Sequence, residues 1–323
     1  MSKPVSVIVE WENAKLSDLD RARRMLAQLG AQMAEAARAR DLKAELLVLY
    51  DSDEIDPAVP RAAIASGLGE AAWPGTIELV AAPGKRYYEQ KNAGAQLAKG
   101  EILVFLDSDV VPDEGWLEGL LAALDDPNVD FVGGEAYHAT ETLHDRLFAA
   151  FWGFPTRHPS RGVYRRQSFY ANNLAVRREI FLANPFPDAA AYRGQCAALA
   201  KAIRGKGIAV YRQGASAVSH PPPHGARTFV VRALCQGHDT VYWKGRRRFG
   251  ALLHTNPAAS VLRWLRALGQ VLLKVATRAR VVGLGPLAAI AAVAMGFAYY
   301  SCKLGGEVIA FFAPDLIRRN LSV

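Results

Sequence analysis

The chain has 323 residues, 51% of them hydrophobic, enough to bury a full core in one large domain or in one domain with an appendage. Its three cysteines, Cys196, Cys235 and Cys302, are scattered without Cys-x-x-Cys spacing, which argues against a structural zinc site and a disulfide framework and fits a reducing compartment. The net charge of +8 is unevenly divided: residues 1–160 hold 15 Lys/Arg and 26 Asp/Glu, whereas residues 161–323 hold 24 and 5. A basic half suits nucleic acid, anionic lipid or a phosphorylated substrate, and charge alone does not choose among them.

Met-Ser-Lys-Pro runs straight into Val5–Val9, a first strand, with no apolar stretch long enough for a signal peptide, so the N-terminal part is expected in the cytoplasm. Ser17–Arg40 reads as a long amphipathic helix and Glu45–Tyr50 as a second strand ending at Asp51. Ile77–Ala81 is a third strand, Tyr87–Lys99 a helix stopped by Gly100, and Glu101–Leu106 a fourth strand. Trp116–Leu124 follows as a helix and Phe131–Gly134 as a strand. This alternation predicts an α/β fold with a largely parallel sheet flanked by helices.

From Ala136 to Gly225 the pattern loosens. A short helix is expected near Arg178–Leu182, a longer one over Gln195–Arg204, a strand at Ile208–Tyr211, and Ala217–His220 runs into Pro221-Pro222-Pro223, which stops any regular element. A second region, 226–323, is then expected as a basic, apolar helical tail. Residues 227–280 carry eleven Lys/Arg and one acid, Asp239, and residues 281–302 carry no charge. Those 22 residues meet the length rule of about 20 for a membrane span, although Pro286 and the many Ala and Gly also suit a buried or interfacial helix. Basic residues beside an apolar run predict association with an anionic membrane surface.

The most chemical segment is Glu101–Asp109, a buried-type strand that ends in Asp107-Ser108-Asp109. Ligands of open α/β sheets bind at the carboxyl ends of strands. Two carboxylates at that place can hold a divalent cation, which in turn can clamp the phosphates of a nucleotide. Asp51 ends the second strand at the same edge, where a base or ribose can be hydrogen-bonded. Ala93 and Gly94, beside Lys91 and Asn92, allow that helix to approach the sheet closely.

Taken together these segments resemble the family 2 glycosyltransferases of the GT-A fold. Val5–Val9 is similar to their opening strand, Leu47–Asp51 to the strand ending in a nucleotide-contacting Asp, and Lys91-Asn92-Ala93-Gly94 to their Arg/Lys-Asn-x-Gly. Gly100–Asp109 resembles the segment carrying their metal-binding Asp-x-Asp. Asn172–Arg178 is similar to their acceptor-side stretch, and Ala217–His220 to the segment that supplies a late histidine. The resemblance covers residues 4–225 and implies a first domain, 1–225, that binds a nucleotide sugar and its acceptor. It implies nucleotide contacts from Asp51, Lys91 and Asp107, with Trp11 in the base-binding region, and a divalent cation, Mn2+ or Mg2+, held by Asp109, Asp107 and His220. The expected reaction is transfer of a hexose from a nucleoside diphosphate sugar, with inversion, to a lipid-linked or envelope saccharide at the cytoplasmic side of a membrane, the C-terminal segment serving as peripheral contact or anchor.

Two departures from the family pattern stand out. Glu10-Trp11-Glu12-Asn13 replaces Pro-Thr-Tyr-Asn after the first strand, which adds negative charge near the base. Gln195-Cys196 stands where the family carries Glu-Asp, whose Asp is the general base, and glutamine does not titrate. Asp188 and Glu135 are the candidate replacements. The same departure supports an alternative, a non-catalytic nucleotide-sugar binding protein. A further alternative is a basic membrane-surface or nucleic-acid binding protein acting through Arg246–Arg248, although a single cluster in Lys244–Phe249 without a recognised binding module makes nucleic acid the weaker partner.

Overall fold

The structure is a computed structural model, and it describes residues 4–16, 18–69, 73–157, 162–245, 256–313, 315–317 and 321. Arg246–Arg248 therefore lie outside the described residues. The elements run β1 (Val5–Glu10), α1 (Glu12–Leu16), α2 (Leu19–Arg40), β2 (Ala44–Tyr50), α3 (Ala58–Leu68), β3 (Gly75–Ala81), α4 (Tyr87–Leu97), β4 (Ile102–Asp107), β5 (Val111–Pro112) and α5 (Trp116–Asp125). They continue as β6 (Phe131–His138), α6 (Leu143–Phe151), β7 (Val163–Arg165), β8 (Asn173–Arg177), α7 (Arg178–Ala183), α8 (Gln195–Gly205), β9 (Tyr211–His220), α9 (Gly225–Gly245), α10 (Pro257–Arg278) and α11 (Pro286–Phe312).

The chain divides into two compact units. The first comprises Met1–Tyr137, His158–Asp188 and Gln195–His220; the second comprises His138–Arg157, Ala189–Gly194 and Pro221–Val323. The second unit is discontinuous: its longest segment begins at Pro221, and two shorter segments come from the region before it.

In the first unit a nine-stranded sheet has the order β3-β2-β1-β4-β8-β6-β9-β5, with β7 on β9. Strands β3, β2, β1 and β4 are parallel, as the alternating pattern predicted. β8 is antiparallel to both β4 and β6, and β9 is antiparallel to β5 and β7, so the sheet is mixed. Periodicity reports which faces of a strand are buried but not its direction, so this half was not predicted as antiparallel. β1 and β4 are buried at every position, which explains their continuous apolar runs. α2 starts at Asp18, whose side chain accepts from the Asp20 backbone, and ends at Asp41 in a left-handed conformation (φ 48°). α4 lies tight on the sheet: a Cβ at Gly94 would stand 2.6 Å from Ile8 Cγ2 and 2.8 Å from Leu49 Cδ1.

The second unit is helical. α11 packs on α9, α10 and α6, and Tyr299 from α11 meets Phe148, Phe151, Trp152 and Phe229 in an aromatic cluster. Gly296 lets α11 approach Val271 and Phe151, and Gly306 lets it approach the backbone of Leu234. α11 is the one helix among the described residues long and apolar enough to cross a membrane by length and composition.

Candidate active site

The parallel half of the sheet delivers two carboxylates to one edge, because Glu10 and Asp107 are partners in the β1–β4 register and both end their strands. Asp107 is a hub. Tyr87 Oη donates to both of its oxygens at 2.8 Å, Lys91 Nζ lies 2.7 Å from Oδ1, and Asn13 Nδ2 donates to Oδ2 at 3.0 Å. Asn13 also donates to Glu10, from its side chain at 2.9 Å and from its backbone at 3.1 Å, so one amide links the two strand ends. Lys91 is 0% exposed, and its ammonium also sits 4.8 Å from the Tyr87 ring centre. Burial and the neighbouring charge of Asp107 hold the Glu10 carboxyl well above the usual carboxylate range, against the weaker opposing pull of Lys91.

The turn after Asp107 is held from two sides. Ser108 Oγ accepts from the Ala14 backbone at 2.8 Å. Arg21, from α2, donates through Nε to the Asp109 carbonyl at 2.6 Å and through one Nη to the Ser219 carbonyl and hydroxyl, both at 2.8 Å. Val111 pairs with Ser219 in the β5–β9 register, so the Asp109 turn and His220, the last residue of β9, reach the same place. Both Asp109 and His220 are buried. The sequence offered no sign of Arg21 in this role, since it reads as one of several arginines on an amphipathic helix.

Asp51 sits half-exposed at the end of β2, where its Oδ1 accepts from the backbones of Asp53 (3.0 Å) and Gly84 (2.9 Å) and so shapes the turn after β3. Trp11 is buried: its backbone donates to the Leu49 carbonyl at 2.8 Å, and its indole belongs to the core.

On the antiparallel side, Asn173 is a brace. It accepts from Trp116 Nε1 at 2.7 Å and donates to the carbonyls of Glu135 (2.9 Å) and Ser216 (3.0 Å). The Glu135 carboxylate is paired with Arg212 at 2.9 Å and accepts from the Tyr164 hydroxyl, while the Arg212 guanidinium stacks 4.2 Å from the Tyr170 ring centre. Asp188 is exposed on the loop after α7. That loop is fixed at Phe186, whose carbonyl and amide are both taken by the Asn92 side chain at 2.9 and 3.0 Å.

Gln195 opens α8 and is buried. Beside it, the Cys196 thiol packs on the core with Tyr88, and burial pushes it up, away from a thiolate. Within the second unit, the segment leading to Gln195 is gripped by α9. Asp239 accepts from the backbones of Tyr192 (3.0 Å) and Arg193 (2.8 Å), Tyr242 Oη accepts from Ala190 (3.1 Å), and Trp243 Nε1 donates to the Arg193 carbonyl (2.7 Å). Gly194 has φ +109°, and a Cβ there would lie 2.4 Å from Trp243 Nε1, so both conformation and space require glycine.

This fold has counterparts among known proteins. The chain is similar in structure to the mannosyltransferase PcManGT of Pyrobaculum calidifontis, solved with GDP-Man and Mn2+, with TM-score 0.55, 18% identity, and coverage of 97% of this chain and 88% of that one. It is also similar to S. aureus TarS 1-349, solved with UDP-GlcNAc, with TM-score 0.51, 13% identity, and coverage of 95% and 91%. Both likenesses establish a GT-A-like fold. In sequence it is 30% identical over 105 residues to the Glycosyltransferase AglE of Haloferax volcanii, a match over 31% of this chain that spans 33%, about one third, of the relative's length. Residues 30–181, the stretch that contains the Asp-x-Asp strand, match the family model Glycosyl transferase family 2.

Proposed function

We propose that the chain uses a divalent cation, Mn2+ or Mg2+, to transfer a hexose, with inversion, from a nucleoside diphosphate sugar to a lipid-linked or envelope saccharide at the cytoplasmic side of a membrane. The observation that carries this reading is the stitching of the Asp109 turn to the end of β9 by Arg21, next to the Asp107 hub. A carboxylate and an imidazole suit such a cation. Among the described residues no group of three His, Cys, Asp or Glu forms a complete cage, so the remaining positions would fall to the diphosphate and water. In this reading Asp109 and His220 hold the ion. Asp107, whose oxygens already serve Lys91, Tyr87 and Asn13, fixes the turn and faces the ribose instead of ligating. When bound, the ion offsets charge on the departing nucleoside diphosphate.

Asp51 contacts the base through Oδ2, since Oδ1 is engaged by Asp53 and Gly84. Lys91 acts on the nucleotide through Asp107. The acceptor hydroxyl loses its proton to Asp188, the exposed carboxylate on the loop that Asn92 fixes. Glu135 is the less suitable base because taking a proton there would break its pair with Arg212. A second reading, a nucleotide-sugar binder without turnover, is favoured by Gln195 at the start of α8. The test is a thermal-shift screen of the full chain with GDP-mannose and UDP-GlcNAc, with and without MnCl2. A metal-dependent stabilisation that Asp109→Ala abolishes supports the reading, and an unchanged shift in that variant overturns it. Release of nucleoside diphosphate then separates the enzyme from the binder.

A further inference from the structure

The helices of the second unit expose an apolar surface that the transfer site does not use. On α10, Val261, Leu262, Leu265, Leu272 and Leu273 are all exposed, with Leu262 at 68% and Leu273 at 65%, and their spacing puts them on one face. On α11, Leu287 (85%), Ile290 (67%), Val308 and Phe312 (79%) also share a face, together with exposed Ala291, Ala294 and Ala298. The opposite faces of both helices pack on α6, so the two exposed faces form the outward side of one helical hairpin. Side chains tie the hairpin together: Arg263 of α10 pairs with Glu307 of α11 at 2.5 Å, and Trp264 Nε1 donates to Ser301 Oγ at 3.2 Å.

We infer that this hairpin lies in the plane of an anionic bilayer surface, inserts its leucine-rich face into one leaflet, and does not cross the membrane. The inference rests on the membrane placement proposed above and supplies its physical form. Two observations carry it. First, α11 cannot act as a lone span, because one side of it is committed to α6, α9 and α10. α6 has 9 residues, a length of roughly 14 Å against a hydrocarbon core of about 30 Å, and α9 carries Arg232, His238, Asp239 and Lys244. Crossing would drag these groups and the Arg263–Glu307 pair into hydrocarbon.

Second, the charge beside the leucines of α10 is of one sign. α10 and the connection after it hold Arg263, Arg266, Lys274, Arg278 and Arg280 with no acid, and the single acid of α11, Glu307, is buried against Arg263. Arg266 and Arg280 are exposed beside the leucines. Anionic headgroups complement that arrangement, whereas a second copy of the chain would bring basic groups against basic groups.

The experiment is flotation of the full chain with vesicles of phosphatidylcholine alone or with 30% phosphatidylglycerol, without any sugar donor. The expected result is binding to the anionic vesicles that weakens with salt, release by alkaline carbonate, and a loss of at least tenfold in Leu262→Ser/Leu273→Ser/Leu287→Ser. The substituted side chains are exposed, so circular dichroism and melting temperature of the triple variant should match the parent. Retention in the bilayer after carbonate extraction would overturn the in-plane placement. Failure to bind anionic vesicles, or a dimer in solution that the triple variant dissociates, would overturn the proposal as a whole. Vesicle binding is read without nucleotide, so a chain that binds lipid but no nucleoside diphosphate would sink the transferase reading and leave this one standing.

Discussion

Lys91 gives the sharpest test of the site's construction. It is fully buried, its ammonium is 2.7 Å from Asp107, and the paired carboxylate is almost as inaccessible. Lys91→Met keeps the unbranched stem but removes the cation. Asp107 then keeps Tyr87 and Asn13 as donors but loses its countercharge, and breaking a buried pair from one side costs about 3–5 kcal/mol. For a chain of this size that corresponds to a fall in melting temperature on the order of 10 °C. Asp107→Asn should cost a comparable amount by stranding the lysine. In the double variant neither charge is left, so it should lie at least about 2 kcal/mol above the sum of the singles.

The assay is thermal or urea unfolding of the four proteins, with nucleotide binding measured alongside. A Lys91→Met variant within about 0.5 kcal/mol of the parent, a cost typical of surface positions, would refute a buried ion pair at this place. A variant of parental stability that had lost nucleoside diphosphate binding would instead make Lys91 a direct ligand contact.

Three further outcomes follow from the same geometry. Glu10 is protonated in the fold at pH values where the unfolded chain has already lost the proton, so stability is complete below its ordinary value of 4.5 and declines as pH rises toward its raised folded value. Glu10→Gln, which stays neutral, should gain melting temperature relative to the parent as pH climbs from 4.5 to neutrality; parallel profiles would refute the burial argument. Asp239→Asn can accept only one of the two amides that the carboxylate holds, so exchange at Tyr192 and Arg193 should accelerate about tenfold or more by hydrogen-exchange mass spectrometry, for a local loss of about 1–3 kcal/mol. If Asp188 is the base, Asp188→Asn should lower kcat by about 100-fold or more while Glu135→Gln leaves most of it, and the reverse order would reassign the role.

Much of the parallel half of the sheet was legible because its signals are local. An apolar run flanked by turn residues marks β1, β2 and β4, and two carboxylates just past such a run are visible without coordinates. Gly94 was readable as a close-approach residue, and the Ile8 and Leu49 contacts give that reading its distances. Lys91 was not readable in the same way: a lysine on a helix is ordinarily solvated, and nothing local says that its ammonium ends on a carboxylate 16 residues away. Arg21 failed for the same reason, since its partners Asp109 and Ser219 are 88 and 198 residues distant. The antiparallel strands and the transfer of 189–194 to the helical unit depend on long-range pairing, which local periodicity does not encode.

α4, readable as a helix in the sequence, organises the site through contacts that its own sequence does not announce. Tyr87 and Lys91 are four residues apart and share a face, and both end on Asp107. One residue along, Tyr88 and Asn92 share the adjacent face; Tyr88 meets Cys196 and Phe186, and Asn92 holds Phe186 at both its amide and its carbonyl. Gly94 sets the whole helix against the sheet. A single rigid element therefore fixes the Asp107 carboxylate with one row of side chains and the loop at Phe186 with the next. None of these contacts needs a carboxylate at position 195. Gln195 at the start of α8 leaves every brace from α4 in place, because none of those braces runs through position 195.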